Sequence, residues 1–174
     1  MVKAHAGGIN VVSSPGKGSI FTIYLPASDS APMIPNFNEM ALLPGTENVL
    51  VVDDEPMIVE ILTQFLISIG YKVQGFINSF EALTQFKSRP DDFDLVLSDQ
   101  SMPGLAGHEL AKAIHTVRPA LPIILITGHS ELITSTNYGE FGFSAYLEKP
   151  LDFNTLATKM RNVIEQKSDK SEKS

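Results

Sequence analysis

Four short apolar runs, Asn48–Val52, Phe93–Ser98, Pro122–Ile126 and Phe143–Leu147, are rich in Val, Ile and Leu and lack strict alternation. That is the pattern of strands buried on both faces of a parallel sheet. Between and around them, apolar residues recur every three or four positions. These stretches predict amphipathic helices over about Pro56–Ile69, Ser79–Ser88, Ala106–Val117, Glu131–Tyr138 and Asp152–Glu165. The block from about Glu47 to Lys167 therefore counts five strand–helix repeats, the signature of an α/β domain with a parallel sheet. In the first helix Ile58, Ile61, Leu62, Phe65, Leu66 and Ile69 form the stripe expected to pack on the sheet. Pro56 suits a first helical turn, Ser79 and Asp152 suit N-caps, and Gly70 suits a helix stop.

The remainder of the chain has a different texture. Gly8–Val12 and Ile20–Leu25 read as strands joined by the glycine-bearing stretch 13–19, hence a hairpin; residues 1–26 are too few for a core of their own. Ala27–Leu43, followed by Pro44-Gly45, is rich in Pro, Ser, Asn and Asp and predicts a linker over 27–46. The charged, apolar-free end predicts disorder over 168–174. With 174 residues and 43% hydrophobic content, the chain has room for one ordinary domain plus an appendage. A net charge of −7 without a basic stripe argues against a nucleic-acid partner. No cysteine is present to build a disulfide framework or a thiolate zinc site. Apolar stretches fall far short of the ~18 residues of a membrane span, so no direct membrane contact is expected, and a cytoplasmic location is compatible.

Each apolar run ends in a residue with phosphoryl or metal chemistry: Asp53-Asp54, Asp99, Thr127, and Lys149 just beyond Glu148. In an open α/β sheet, ligands bind beyond the carboxyl ends of the strands, so these side chains would share one site. Three carboxylates meeting there would repel one another unless a divalent cation joined them. Hard oxygen ligands favour Mg²⁺, bound at ~2.0–2.1 Å with several waters retained. Asp99 is the best nucleophile, because it opens the loop Gln100-Ser101-Met102-Pro103-Gly104; carboxylate attack on phosphorus gives an aspartyl phosphate. Lys149 would place a point charge on a phosphoryl oxygen, and Thr127 would donate a hydrogen bond to the group. A cis bond at Lys149-Pro150 would turn the lysine over the sheet edge. Singly, these residues have ordinary readings as turn aspartates, a strand-end hydroxyl and a surface lysine. Their ordered recurrence at four strand ends outweighs those readings. His108-Glu109-Leu110 reads as solvent-facing helix, His129 as a loop histidine near the site, and Gly16-Lys17-Gly18-Ser19 as hairpin, not phosphate loop.

The motifs Val51-Val52-Asp53-Asp54-Glu55, Leu97-Ser98-Asp99-Gln100-Ser101-Met102-Pro103-Gly104 with Gly107, Ile126-Thr127-Gly128 and Tyr146-Leu147-Glu148-Lys149-Pro150 resemble the receiver domain of two-component response regulators. The resemblance covers about 47–167. It implies a doubly wound, flavodoxin-like five-stranded sheet in the order 2-1-3-4-5. It also implies Asp99 as phosphoacceptor, with Asp54, Asp99 and the Ser101 carbonyl on Mg²⁺ and Asp53 acting through water. Thr127 and Tyr146 would form the switch pair, altering the face of the fourth helix, fifth strand and fifth helix; an aromatic on a strand is otherwise ordinary core. Partners would be a phosphohistidine-bearing kinase or phosphotransfer domain, with a downstream phosphotransfer protein as recipient.

Val2–Ile9 together with Ser14–Pro26 is similar to the last stretch of the ATP-binding domain of sensor histidine kinases, although Ala6 stands where glycine is usual. The layout implies the end piece of a hybrid sensor kinase, whose parent could be membrane-anchored. The ATP-holding boxes of that family are absent, so no kinase activity is expected of this polypeptide. Two rival readings remain: a Mg²⁺-dependent phosphatase using an aspartyl phosphate, and an interaction module independent of phosphate.

Overall fold

In the computed structural model, residues 2–27, 44–128 and 132–171 are described, and the chain divides into two units, Met1–Asn36 and Phe37–Ser174. The first holds a 3₁₀ turn, Val2–His5, and an antiparallel hairpin of β1 (Gly8–Ser14) and β2 (Gly18–Tyr24). The strands draw closer to the turn than the sequence pattern predicts, with Ser14 opposite Gly18. Pairing of Val11 with Phe21 and of Ile9 with Ile23 gathers four large apolar side chains on one face, because alternate residues of a strand share a face. All four remain exposed, from 48% for Val11 to 67% for Phe21.

The second unit runs β3 (Asn48–Val52), α1 (Pro56–Ser68), β4 (Lys72–Phe76), α2 (Ser79–Ser88), β5 (Leu95–Asp99), α3 (Gly107–Val117), β6 (Ile123–Thr127), β7 (Ala145–Glu148) and α4 (Phe153–Ser171). Its sheet is ordered β4-β3-β5-β6-β7 with every pair parallel, which is the doubly wound order 2-1-3-4-5. Val49, Val51, Leu95, Leu97, Ile124 and Ile126 pack on one side against α1 and α4 residues such as Leu62, Phe65, Leu66, Leu156 and Met160. Leu50, Val52, Val96, Ile123 and Leu125 pack on the other against Ala82 and Phe86 of α2 and Leu110 and Ile114 of α3. Burial on both faces explains why these strands read as unbroken apolar runs. Register fixes where they end: Val52 lies beside Ser98, Asp99 beside Ile126, and Thr127 beside Glu148.

Several expectations are corrected. Glu131–Tyr138 was expected to be helical; among its described residues, 132–137 form no helix, and a short 3₁₀ turn spans Tyr138–Phe141. The local sequence explains it. Thr134 and Asn137 satisfy one another and nearby backbone, with Asn137 Oδ1 accepting from Thr134 N–H at 2.7 Å and Asn137 Nδ2 donating to Leu132 O at 3.1 Å. Such side-chain bonds compete with helix, and Gly139 weakens it further. Asn78, not Ser79, caps α2, accepting from the N–H groups of Phe80 and Glu81. Ser79 is buried instead, donating to Pro103 O and accepting from Leu105 N–H. On α1, Val59 is buried whereas Ile61 is 43% exposed. Asp152 caps α4 as expected, accepting from Thr155 N–H at 2.7 Å. That helix continues to Ser171, through residues whose charged pattern predicts disorder; 172–174 lie outside the described residues.

Of the predicted linker, 28–43 lie outside the described residues. Gly45, near its end, is buried and donates to Ile69 O at 3.0 Å, and the Glu47 carboxylate accepts from Arg161 at 2.6 Å. Among the described residues no helix is long and apolar enough to cross a membrane.

The α1 correction is directly testable by urea unfolding. Leu62→Ala, at 2% exposure, is expected to cost about 2–5 kcal/mol. Its neighbour Ile61→Ala, on the exposed side, is expected to cost about 1 kcal/mol or less. Equal losses would contradict the packing described.

Candidate functional site

The parallel register sets four polar strand ends side by side at the carboxyl edge of the sheet. Asp53 follows β3 and its N–H donates to Phe76 O at 3.2 Å, so the chain is still held by the neighbouring strand as it leaves the sheet. Asp99 and Thr127 are the last residues of β5 and β6. Lys149 follows β7, and its N–H donates to Thr127 O at 2.8 Å, which continues the ladder and seats the lysine beside the threonine. The Lys149-Pro150 bond is cis, as expected.

The lysine ammonium reaches across the sheet to 2.8 Å from Asp53 Oδ2 and 2.9 Å from Asp99 Oδ1. Both carboxylates are buried, Asp53 at 2% and Asp99 at 5% exposure, so the shared cation is what makes their charge tolerable there. Asp53 Oδ1 also accepts from Glu55 N–H at 2.9 Å, and Asp99 Oδ2 from Ser101 N–H. Burial pushes the Asp53 carboxyl above its ordinary range, against the pull of Lys149 and of the Glu55 N–H. Burial would lower the lysine, but hydrogen bonds to Asp53 and Asp99 outweigh it and hold Lys149 above its ordinary value.

The loop after Asp99 is shaped by two glycines. A Cβ on Gly107 would fall 2.3 Å from Asp99 O, so only glycine lets the start of α3 close onto the strand end, where Gly107 N–H donates to Gln100 O at 3.0 Å. Gly104 has φ +88°, with the Phe80 ring lying against the place a Cβ would occupy.

The expected site residues therefore do not all stand alike. Asp53, Asp99, Lys149 and Thr127 are brought together. Asp54 and Ser101 are exposed at the mouth. Among the described residues, no three carboxylates or imidazoles converge as a ready metal-ligand set. Lys149 is the cation that Asp53 and Asp99 share. The donor chemistry nonetheless suits a hard divalent ion: carboxylate oxygens only, with Asp54 open to solvent. Thr127 is fully buried and its hydroxyl has no hydrogen-bond partner. Leaving a buried hydroxyl unpaired costs about 1–3 kcal/mol, an unusual penalty in a folded core.

Tyr146 is half-buried, its ring stacked on Tyr138 with centroids 6.3 Å apart. His129 lies outside the described residues. His108, expected to face solvent, is half-buried on α3: its Nδ1 lies 2.9 Å from Gln100 Nε2, and its ring meets Phe141 edge-on. One participant went unnoticed in the sequence. Glu55, directly after the paired aspartates, brings Oε1 to 3.5 Å from the Lys149 ammonium. Its adjacency to Asp53-Asp54 was the available signal.

Known proteins resemble this chain in sequence and fold. The phosphoglycerate transport system transcriptional regulatory protein PgtA of Salmonella typhimurium is 34% identical over 69% of this chain and 28% of its own length. The sensor kinase CckA of Brucella abortus is 28% identical over 95% of this chain and 18% of its own length. This chain thus spans less than a third of either relative. Among solved structures, a response regulator receiver domain protein from Clostridium thermocellum superposes with a TM-score of 0.66 at 30% identity, covering 70% of this chain and 97% of that one. The response regulator TrrA of Thermotoga maritima, in complex with Mg²⁺-BeF, gives a TM-score of 0.60 at 34% identity, covering 67% and 98%. The family described as response regulator receiver domain matches residues 49–161. On fold and sequence alike, the chain belongs to that family, the receiver modules of two-component phosphorelay signalling.

Proposed function

We propose that this receiver takes a phosphoryl group from a phosphohistidine onto Asp99 in a Mg²⁺-dependent reaction. The observation that carries the reading is the lysine ammonium set between two buried carboxylates, 2.8 and 2.9 Å away, beside a buried hydroxyl without a partner. An Asp99 carboxylate oxygen forms the new bond to phosphorus, the P–N bond breaks, and the imidazole leaves with the electron pair. Lys149 then turns from Asp99 to a phosphoryl oxygen, and Thr127 supplies the hydrogen bond its hydroxyl lacks at rest. Asp54, Asp99 and the Ser101 carbonyl would hold Mg²⁺, with Asp53 acting through water; bound there, it would supply positive charge against the transferring group. Mg²⁺ in the TrrA complex supports the same ion here. Tyr146, resting on Tyr138, would change position with Thr127.

The hairpin and linker, in this reading, are the closing edge of a histidine-kinase ATP-binding domain joined to the receiver. The likeness to CckA over 95% of the chain supports that layout, as do the exposed apolar residues of the hairpin. Partners would be a phosphohistidine-bearing kinase or phosphotransfer domain and a downstream phosphotransfer protein, all on the cytoplasmic side.

Acetyl phosphate with Mg²⁺ is expected to add one acid-labile phosphoryl group to the wild type, read by intact mass; Asp99→Asn should take none. Undiminished labelling of that variant would refute the assignment. Mg²⁺ at ten times its Kd should stabilise the wild type by about 1.4 kcal/mol, an increment that Asp54→Ala loses and Lys149→Ala keeps. The pH dependence has a definite sign. Because the folded Asp53 carboxyl lies above its ordinary 3.8, its favourable contribution is complete below that value. It disappears as pH rises through the elevated value. Without Mg²⁺, Asp53→Asn should therefore gain stability relative to wild type as pH rises from below 3.8 through the elevated value; a constant difference would count against the burial described.

A further inference from the structure

We infer that Glu55 is a specificity-determining residue that selects phosphodonors by their charge. The inference rests on the phosphoacceptor reading above. The Lys149 ammonium has three N–H donors and three carboxylate neighbours: Asp53 at 2.8 Å, Asp99 at 2.9 Å and Glu55 at 3.5 Å. Two of those carboxylates are buried, whereas the Glu55 side chain is 65% exposed. Glu55 therefore stands on the solvent side of Lys149, close to any phosphoryl group that the ammonium would meet. Its main-chain N–H separately holds Asp53 Oδ1 at 2.9 Å, a bond that any side chain at this position preserves.

Two consequences follow for the bare side chain. It adds a negative charge at the mouth of a site that already carries more carboxylates than cations, so it repels a donor in proportion to the donor's own charge. It also competes with the phosphoryl oxygens for Lys149, whose ammonium must leave a carboxylate to meet them. Both effects weigh most on a small dianion, which has no other contacts to offset the repulsion. A phosphohistidine presented by a protein domain brings its own docking surface and is penalised least. Glu55 thereby reserves Asp99 for a macromolecular donor.

The test compares two small donors at saturating Mg²⁺, on the full chain: acetyl phosphate, a dianion at neutral pH, and phosphoramidate, which carries one negative charge fewer. In both reactions an Asp99 oxygen bonds to phosphorus, and acetate or ammonia leaves with the electron pair of the broken bond. Glu55→Gln is expected to raise the second-order labelling rate by about fivefold with acetyl phosphate and about twofold with phosphoramidate. The difference between donors should shrink in high salt. Glu55→Asp, which keeps the charge, should retain the wild-type ratio of the two rates. A purely structural role would move both rates by one factor; that result, or no change in either, overturns the inference. Absence of any labelling in the wild type would instead overturn the phosphoacceptor reading, and this role with it.

Discussion

Two carboxylates buried to within a few per cent of full enclosure stand at the end of a sheet whose strands are otherwise apolar, and one ammonium lies between them. Removing a carboxylate from water costs several kcal/mol even after relaxation, about the scale of a domain's net stability, so neither acid could be held there uncompensated. The lysine is the compensation, and its position is not locally determined. Asp53 lies 96 residues before it in the chain. The contact exists only because β7 has been added to the sheet in parallel register, with the Lys149 N–H bonded to Thr127 O. Pocket and topology are thus one constraint: the sheet places the charges, and the charges are tolerable only when the sheet is complete.

The sheet in turn depends on having two covered faces. Successive residues of β3, β5 and β6 point alternately toward α1 with α4 and toward α2 with α3, and the two clusters of core residues divide along that alternation. The residues in the middle of these strands are therefore apolar, apart from Ser98, whose hydroxyl donates to Asp99 O. Polar side chains are admitted only where the strands run out, and parallel pairing brings all of those ends to one edge. That is why two carboxylates, an ammonium and a hydroxyl can share one sheet edge without being close in sequence.

The same logic decides what the sequence reveals. Four of the five strands, β3, β5, β6 and β7, and the residues at their ends were legible as short apolar runs; β4, with Lys72, Gln74 and Gly75 exposed, offered no such run. The capping of α2 was harder, since Asn78 and Ser79 are both good caps and the choice fell to a tertiary bond, from Ser79 to Pro103. The exposed Ile61 was misread because an apolar stripe at spacings of three and four is wider than the sheet can cover. The absence of helix over the described residues 132–137 was in principle readable. Thr134, Thr136, Asn137 and Gly139 all disfavour helix, but the expectation of regular repeats overrode local propensity. Glu55 was signalled only by its adjacency to Asp53-Asp54; its contact with Lys149 depends on the lysine's path over the sheet edge.

The 3₁₀ turn that follows the non-helical residues 132–137 packs against neighbours of the pocket. A helix between β6 and β7 would present a long rigid face; here Tyr138–Phe141 is a single turn, and its aromatics meet two different neighbours. Tyr138 stacks on Tyr146 of β7, and Phe141 meets His108 of α3, which is hydrogen-bonded to Gln100 beside Asp99. The turn therefore touches side chains of β7 and α3, and is linked to the Asp99 loop only through His108. A short element with so few backbone bonds of its own takes its position from those contacts rather than from internal rigidity. In this receiver, the surface over β6 and β7 is set by packing against the pocket's own neighbours.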